Sequence, residues 1–293
     1  MSADPVGGTG PARPVIERAA ARLTDAGVAS PRHDAEALAA HVLGVPSALV
    51  GGAELTETQL RAYETLVDER ARRVPLQHLI GRAGFRYLDL EVGPGVFVPR
   101  PETEVLVSWG LDAVRDVHRP VVVDLCTGSG AIALAVAQER PDAVVHAVER
   151  SELAMAWAER NAAARVAAGD RPVRLHRGDA TDPRVLAELD RTVDLVLSNP
   201  PYIPEGSSVE PEVAEHDPAA ALWGGSDGLQ VLGAVAARAR LLVRDGGWFG
   251  VEHADVQGSA VTGLLRSTGW ADVSCHRDLA ARPRFTTGRA VRD

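Results

Sequence analysis

Val121-Val122-Val123-Asp124-Leu125-Cys126-Thr127-Gly128-Ser129-Gly130 runs directly into Ala131-Ile132-Ala133-Leu134-Ala135-Val136-Ala137, and this stretch decides the fold. A β-branched run reads as a buried strand, the glycines as a turn, and the alanine-rich segment as a helix. The glycines let backbone approach a ligand closely, and the helix amino terminus offers free N–H groups. The next apolar run, Val144-Val145-His146-Ala147-Val148, ends in Glu149 about twenty residues on, where a ribose diol is normally held. Gly128-x-Gly130-x-x-Ala133 also passes as a weak nicotinamide-dinucleotide fingerprint, so the glycines alone leave the cofactor open.

Further along, Val193-Asp194-Leu195-Val196-Leu197-Ser198 reads as a second buried strand and leads into Asn199-Pro200-Pro201-Tyr202. A polar residue at the carboxyl end of such a strand faces the crevice where open α/β sheets bind ligands. Two prolines stop the chain from continuing the sheet and remove two backbone donors. The Pro200 carbonyl is then free to accept, and beside the Asn199 side chain it makes an acceptor pair suited to an –NH2 group. Tyr202 can cover a flat substrate. The plainer reading is a turn; the glycine signature upstream argues against it.

Asp-x-x-x-Gly-x-Gly with a later Asn-Pro-Pro-Tyr resembles the S-adenosylmethionine-dependent methyltransferases that act on planar amino groups. Within them the chain resembles the release factor glutamine methyltransferase (PrmC/HemK) family. Val74-Pro75-Leu76-Gln77-His78-Leu79-Ile80-Gly81 is similar to its inter-domain segment, and Phe97-Val98-Pro99-Arg100-Pro101-Glu102-Thr103-Glu104 to its Pro-Arg-Pro-(Glu/Asp)-Thr-Glu signature. Glu210-Pro211, Ala221-Leu222 and Gly224-Gly225-x-Asp227-Gly228-Leu229 resemble the stretch after its catalytic loop. Cys126 departs from the pattern, because a glycine is common there; a thiol in the cofactor wall raises the expectation of sensitivity to oxidation or alkylation.

The resemblance implies a doubly wound, mostly parallel seven-stranded α/β sheet (class I methyltransferase, Rossmann-like) that ends in an antiparallel hairpin, with a small N-terminal helical bundle domain. It implies S-adenosylmethionine as cofactor, with Cys126, Thr127, Gly128, Ser129 and Gly130 passing under its methionine and ribose parts. Asp124 would meet its amino group, Glu149 both ribose hydroxyls, and Asp179 and Ala180 its adenine. Asn199, Pro200 and Tyr202 would be catalytic, with Pro201 also against the substrate and Asn199 also near the cofactor. The implied partners are peptide chain release factors, methylated on the glutamine of a Gly-Gly-Gln tip. Rivals are a glutamine methyltransferase of a large-subunit ribosomal protein, a DNA adenine amino-methyltransferase, and a binding module without turnover. Pro99-Arg100-Pro101-Glu102 favours the release factor over the ribosomal protein, whose family tends to have Pro-Arg-Ser-Pro. The absence of a target-recognition insertion speaks against DNA.

A chain of 293 residues that is 45% hydrophobic and 24% charged has the composition of an ordinary globular protein with one large or two modest domains. The pattern divides it into a disordered tail (1–14), a helical substrate-recognition domain (15–75), a β-hairpin linker (76–98) and the methyltransferase domain (99–293). Thr56 to Gln59 has capping-box spacing, and Ser30-Pro31 opens another helix. A net charge of −9 disfavours stable nucleic-acid binding, and all 31 cationic residues are Arg, so single arginines carry little information. Two cysteines and a start without an apolar h-region point to the cytoplasm, and no membrane or metal partner is expected. His33-Asp34, His216-Asp217 and Glu252-His253 read as surface or supporting pairs, Trp223 as packing, and Glu205 to Asp217 as a mobile acidic loop.

Overall fold

A computed structural model describes residues 9–292. The chain forms two compact units, one running up to Arg82 and including Glu210–His216, the other from Ala83 onward without that short segment.

In the helical unit, strand β1 (Thr9–Pro11) pairs antiparallel with β2 (Glu54–Thr56), and helices α1 (Ala12–Asp25), α2 (Pro31–Leu43), α3 (Glu57–Ala71) and α4 (Leu76–Ile80) enclose a core. Ile16, Leu23, Ala35, Leu38, Tyr63 and Val67 meet there, and the buried Tyr63 hydroxyl donates to the Ala35 carbonyl at 3.1 Å. Pro31 occupies the first turn of α2, and Gly44 closes it at φ 68°, a left-handed cap that glycine adopts without strain. The expected capping box starts α3: Gln59 N–H donates to Thr56 Oγ1 at 3.3 Å, and Thr56 N–H donates to Gln59 Oε1 at 3.0 Å.

Two expected boundaries move. Residues 9–14 are not a disordered tail, because β1 pairs with β2 and Ala12 is fully buried, its N–H bonded to the Ala53 carbonyl at 3.0 Å. The rest of that expected tail, residues 1–8, lies outside the described residues. The segment 76–98 is not one linker either. Leu76, Leu79 and Ile80 pack into the helical core, whereas Ala83, Val92, Val96 and Val98 cluster with Ala154 and Trp157 of the second unit. The hairpin itself is short, β3 (Arg82–Phe85) and β4 (Leu88–Glu91).

The second unit continues with α5 (Glu104–Ala113), β5 (Val121–Leu125), α6 (Ala131–Glu139), β6 (Val144–Glu149), α7 (Glu152–Ala167), β7 (Arg174–Arg177), β8 (Val193–Ser198), helix Gln230–Leu242, β9 (Val243–Glu252), helix Gly258–Ser267, β10 (Trp270–Arg277) and β11 (Pro283–Ala290). The sheet order is β10-β11-β9-β8-β5-β6-β7. β9, β8, β5, β6 and β7 are parallel, and the closing hairpin runs antiparallel to β9. This is the seven-stranded class I methyltransferase order. All six residues of β8 are buried, as both-face coverage requires, with Val122, Leu195 and Leu197 in one core layer and Val123, Val196 and Val251 in the other. Because the five strands are parallel, their carboxyl ends share one edge, which brings Leu125, Glu149, Ser198 and Glu252 to the same crevice.

Candidate cofactor and substrate site

The glycine turn leaves β5 under visible conformational demand. Cys126, Gly128 and Gly130 all have positive φ, at 67°, 58° and 89°. A glycine takes this region without strain, whereas a residue with a Cβ pays about 1–2 kcal/mol there. That explains why glycine suits position 126. A Cβ at Gly128 would meet nothing within 4 Å, so the loop borders open space there. Gly130 caps α6, and its own Cβ would press on Leu134 at 3.0 Å. The loop is held from behind by buried Asn161, whose amide donates to the Ser129 carbonyl at 2.9 Å while clasping the Glu91 backbone.

Asp124 is fully buried at the end of β5. Its Oδ2 accepts from Thr127 Oγ1 at 2.5 Å and from the Ala133 N–H at 3.2 Å, while Oδ1 has no partner among the described residues. Burial pushes this carboxyl up to about 7, against the pull of those two donors. A buried carboxylate oxygen left open beside a glycine cradle suits a ligand ammonium. Glu149, at the end of β6, is anchored by backbone: Gly128 N–H donates to Oε2 at 2.9 Å and Ser151 N–H to Oε1 at 2.8 Å. Each oxygen keeps acceptor capacity, so the fixed carboxylate fits a diol. Asp179 Oδ1 accepts from the N–H and hydroxyl of Thr181 at 2.8 and 2.7 Å, and Ala180 is buried beside it. Although burial works the other way, the Thr181 bonds and Arg150 hold the Asp179 carboxyl below its usual range. The open Oδ1 of Asp124 and the anchored carboxylate of Glu149 have the donor-accepting chemistry that the ammonium and ribose diol of S-adenosylmethionine require.

The thiol of Cys126 is pushed up by burial and by the carboxylates of Glu149 and Asp124. A raised thiol holds less of the thiolate that alkylation requires, which works against the expected sensitivity.

On the other side of β5, Asn199 follows β8. Its Nδ2 donates to Thr103 Oγ1 at 3.2 Å, and the Thr103 hydroxyl donates to Glu252 Oε2 at 2.6 Å. The Tyr202 hydroxyl donates to Glu252 Oε1 at 3.4 Å, and Gln257 Nε2 donates to the Tyr202 carbonyl at 2.9 Å. Thr103 and Glu252 are 4% and 1% exposed, so this row of contacts is shielded from water. Burial raises the Glu252 carboxyl to about 7, with Thr103, Arg284 and Tyr202 opposing and Glu102 adding to the rise. Pro200 and Pro201 are buried, and Asn199 and Tyr202 are partly open.

Reading the chain residue by residue assigned no role to Thr103 and placed Glu252 and His253 among surface or supporting pairs. Both are buried. His253 faces away: its Nδ1 donates to the Ala254 carbonyl and its Nε2 accepts from Thr286 Oγ1, both at 2.8 Å. Glu252 ends a parallel strand beside β8, the same signal that singled out Glu149. The Trp223 backbone bridges to that of Ile203, and the residue is partly buried.

A family model described as the PrmC N-terminal domain matches residues 15–81, and one described as the methyltransferase small domain matches residues 101–221. The release factor glutamine methyltransferase of Streptomyces coelicolor is 52% identical over 279 residues, covering 94% of this chain and 96% of the relative. The chain belongs to the release factor glutamine methyltransferase family. Relatives of the same name from Mycolicibacterium smegmatis and Mycobacterium tuberculosis are 50% and 48% identical, covering 95% and 94% of the chain and 98% and 90% of themselves. As a member of this methyltransferase family the chain uses S-adenosylmethionine as its methyl donor, which agrees with the fit at Asp124 and Glu149.

Proposed function

We propose that this methyltransferase modifies the side-chain amide nitrogen of the glutamine in the Gly-Gly-Gln tip of peptide chain release factors, and so modulates translation termination in the cytoplasm. The observation that carries the reading is the orientation of Asn199. With Nδ2 turned to Thr103, its Oδ1 is left as an acceptor, and the carbonyl of Pro200, the next residue in the chain, supplies the second. Two adjacent acceptors match the two hydrogens of a primary amide, and the relatives' name supplies the class of protein that carries it.

When bound, S-adenosylmethionine supplies a methyl made electrophilic by its sulfonium. An amide nitrogen is a weak nucleophile because its lone pair is delocalised. Asn199 Oδ1 and the Pro200 carbonyl hold both N–H groups, direct the lone pair along one line and favour the positive charge that develops on nitrogen. Tyr202 covers the amide plane, and the methylated nitrogen is acidic enough to release its proton to water. Asp124, Cys126–Gly130, Glu149, Asp179 and Ala180 hold the cofactor, and the helical unit contributes to recognition of the protein substrate.

The test offers labelled cofactor and enzyme to purified release factor, to a large-subunit ribosomal protein and to adenine-containing duplex. Label on the release factor alone is the expected result. Label only on the ribosomal protein or the duplex would overturn the assignment.

A further inference from the structure

We propose that Thr103 and Glu252 are positioning residues that set the polarity of the Asn199 amide, so that oxygen and not nitrogen faces the substrate. The inference rests on the reading of Asn199 as a substrate acceptor.

An asparagine amide has two nearly isosteric ends, and only one can accept from a substrate N–H. If the amide turned over, an NH2 group would confront the NH2 of the glutamine and the acceptor pair would be lost. Something must therefore distinguish the ends, and a chain of three contacts does so. An ionised carboxylate only accepts, so Glu252 Oε2, 2.6 Å from Thr103 Oγ1, takes the single hydroxyl hydrogen. Thr103 Oγ1 can then only accept on its other side. The Asn199 atom 3.2 Å away must be the donor, Nδ2, which leaves Oδ1 for the substrate. The second carboxylate oxygen is occupied by the Tyr202 hydroxyl at 3.4 Å, so one acid orders both the amide and its aromatic cover.

The same logic gives the row a pH-dependent direction. Protonated Glu252 can donate to Thr103 Oγ1, which frees the hydroxyl hydrogen to point at Asn199 and favours the reversed amide. The groups acting on Glu252 are Thr103 and Glu102 from the segment before α5, Tyr202 from the Asn-Pro-Pro-Tyr loop and Arg284 from β11. Arg284 is itself paired with Asp278 at 3.0 Å. Burial brings the Glu252 carboxyl to about 7, so the reversal falls in an accessible range.

The test measures methyl transfer to purified release factor by the full chain as Thr103→Val, Thr103→Ser, Glu252→Gln, Asn199→Ala and the Asn199→Ala/Thr103→Val double variant. Cofactor binding and thermal melting are followed in parallel. Thr103→Val is expected to lower kcat about 10-fold or more with KM nearly unchanged, and Thr103→Ser, which keeps the hydroxyl, to recover it to within about 3-fold. Wild-type kcat should fall as pH drops below about 7, and Glu252→Gln should abolish that limb. In the Asn199→Ala background, Thr103→Val should cost nothing further. A Thr103→Val enzyme with wild-type kcat, or a loss that persists without Asn199, would overturn the positioning role while leaving the site intact. Full turnover by Asn199→Ala would instead overturn the acceptor reading on which it rests.

Discussion

Cys126 shows how a single position can be legible in type and not in consequence. Its departure from glycine is visible in the sequence, but only φ 67° shows what a glycine does there, and only its half-buried place near two carboxylates shows why the thiol is pushed up. Cys275 is exposed. Iodoacetamide at pH 7.5 followed by peptide mass spectrometry should label Cys275 in the folded protein and Cys126 only after unfolding. Glu149 carries two backbone donors as well as the proposed ribose contact. Glu149→Gln should therefore weaken cofactor binding by calorimetry roughly 10-fold or more, since a charge-assisted pair of hydrogen bonds is replaced by neutral ones. Asp124, Glu149 and Asn199 can be singled out in the sequence as candidates because each stands at or beside the end of an apolar run. Thr103 was not: it lies 96 positions from Asn199, and no local periodicity joins a loop threonine to a distant asparagine.

Among the elements, the acidic stretch from Glu205 to Asp217 departs most from expectation. Instead of a mobile loop it contains the helix Pro211–His216, which belongs to the helical unit. Arg73 holds Glu212 through Nε at 2.8 Å and a second, shorter contact, and buried Arg70 reaches both Glu212 at 3.0 Å and Asp34 at 2.8 Å. His33-Asp34 is thus half surface and half buried anchor. The charge run concealed this because its cationic partners lie about 140 positions earlier, in a chain where arginine is the only strong base. Although burial opposes it, hydrogen bonding to Arg73 and Arg70 lowers the Glu212 carboxyl to about 2. A folded value below the unfolded one gives stability that is present above about pH 4.5 and is lost as pH falls through 2. Glu212→Gln should cost roughly 1–3 kcal/mol at pH 7, discounted for partial exposure, and should flatten the acid limb of the unfolding curve. An unchanged midpoint by denaturant titration would refute the anchoring role.

For the whole molecule, two buried carboxyls, Asp124 and Glu252, sit at the crevice with values raised to about 7. Here the sign reverses. A folded value above the unfolded one means the native state holds more protons between about pH 4.5 and 7, so their contribution declines as pH rises across that window. The melting temperature without cofactor should fall between pH 5 and 7.5, and Glu252→Gln should fall less steeply. Saturating S-adenosylmethionine at about 100 times its Kd should restore about 2.7 kcal/mol. The α/β alternation was legible along most of the chain, whereas the boundary between the units was not. It depends on which core Leu76 and Val92 join, and that is settled by packing between residues far apart in sequence. The central claim is that this crevice methylates one glutamine of a release factor. Peptide mass spectrometry of release factor treated with enzyme and labelled cofactor tests it most directly, with Gln→Asn in the Gly-Gly-Gln tip as control. One added methyl on that glutamine, absent from the control and reduced about 100-fold or more with Asn199→Ala, is the predicted result. No transfer while the cofactor still binds would contradict it.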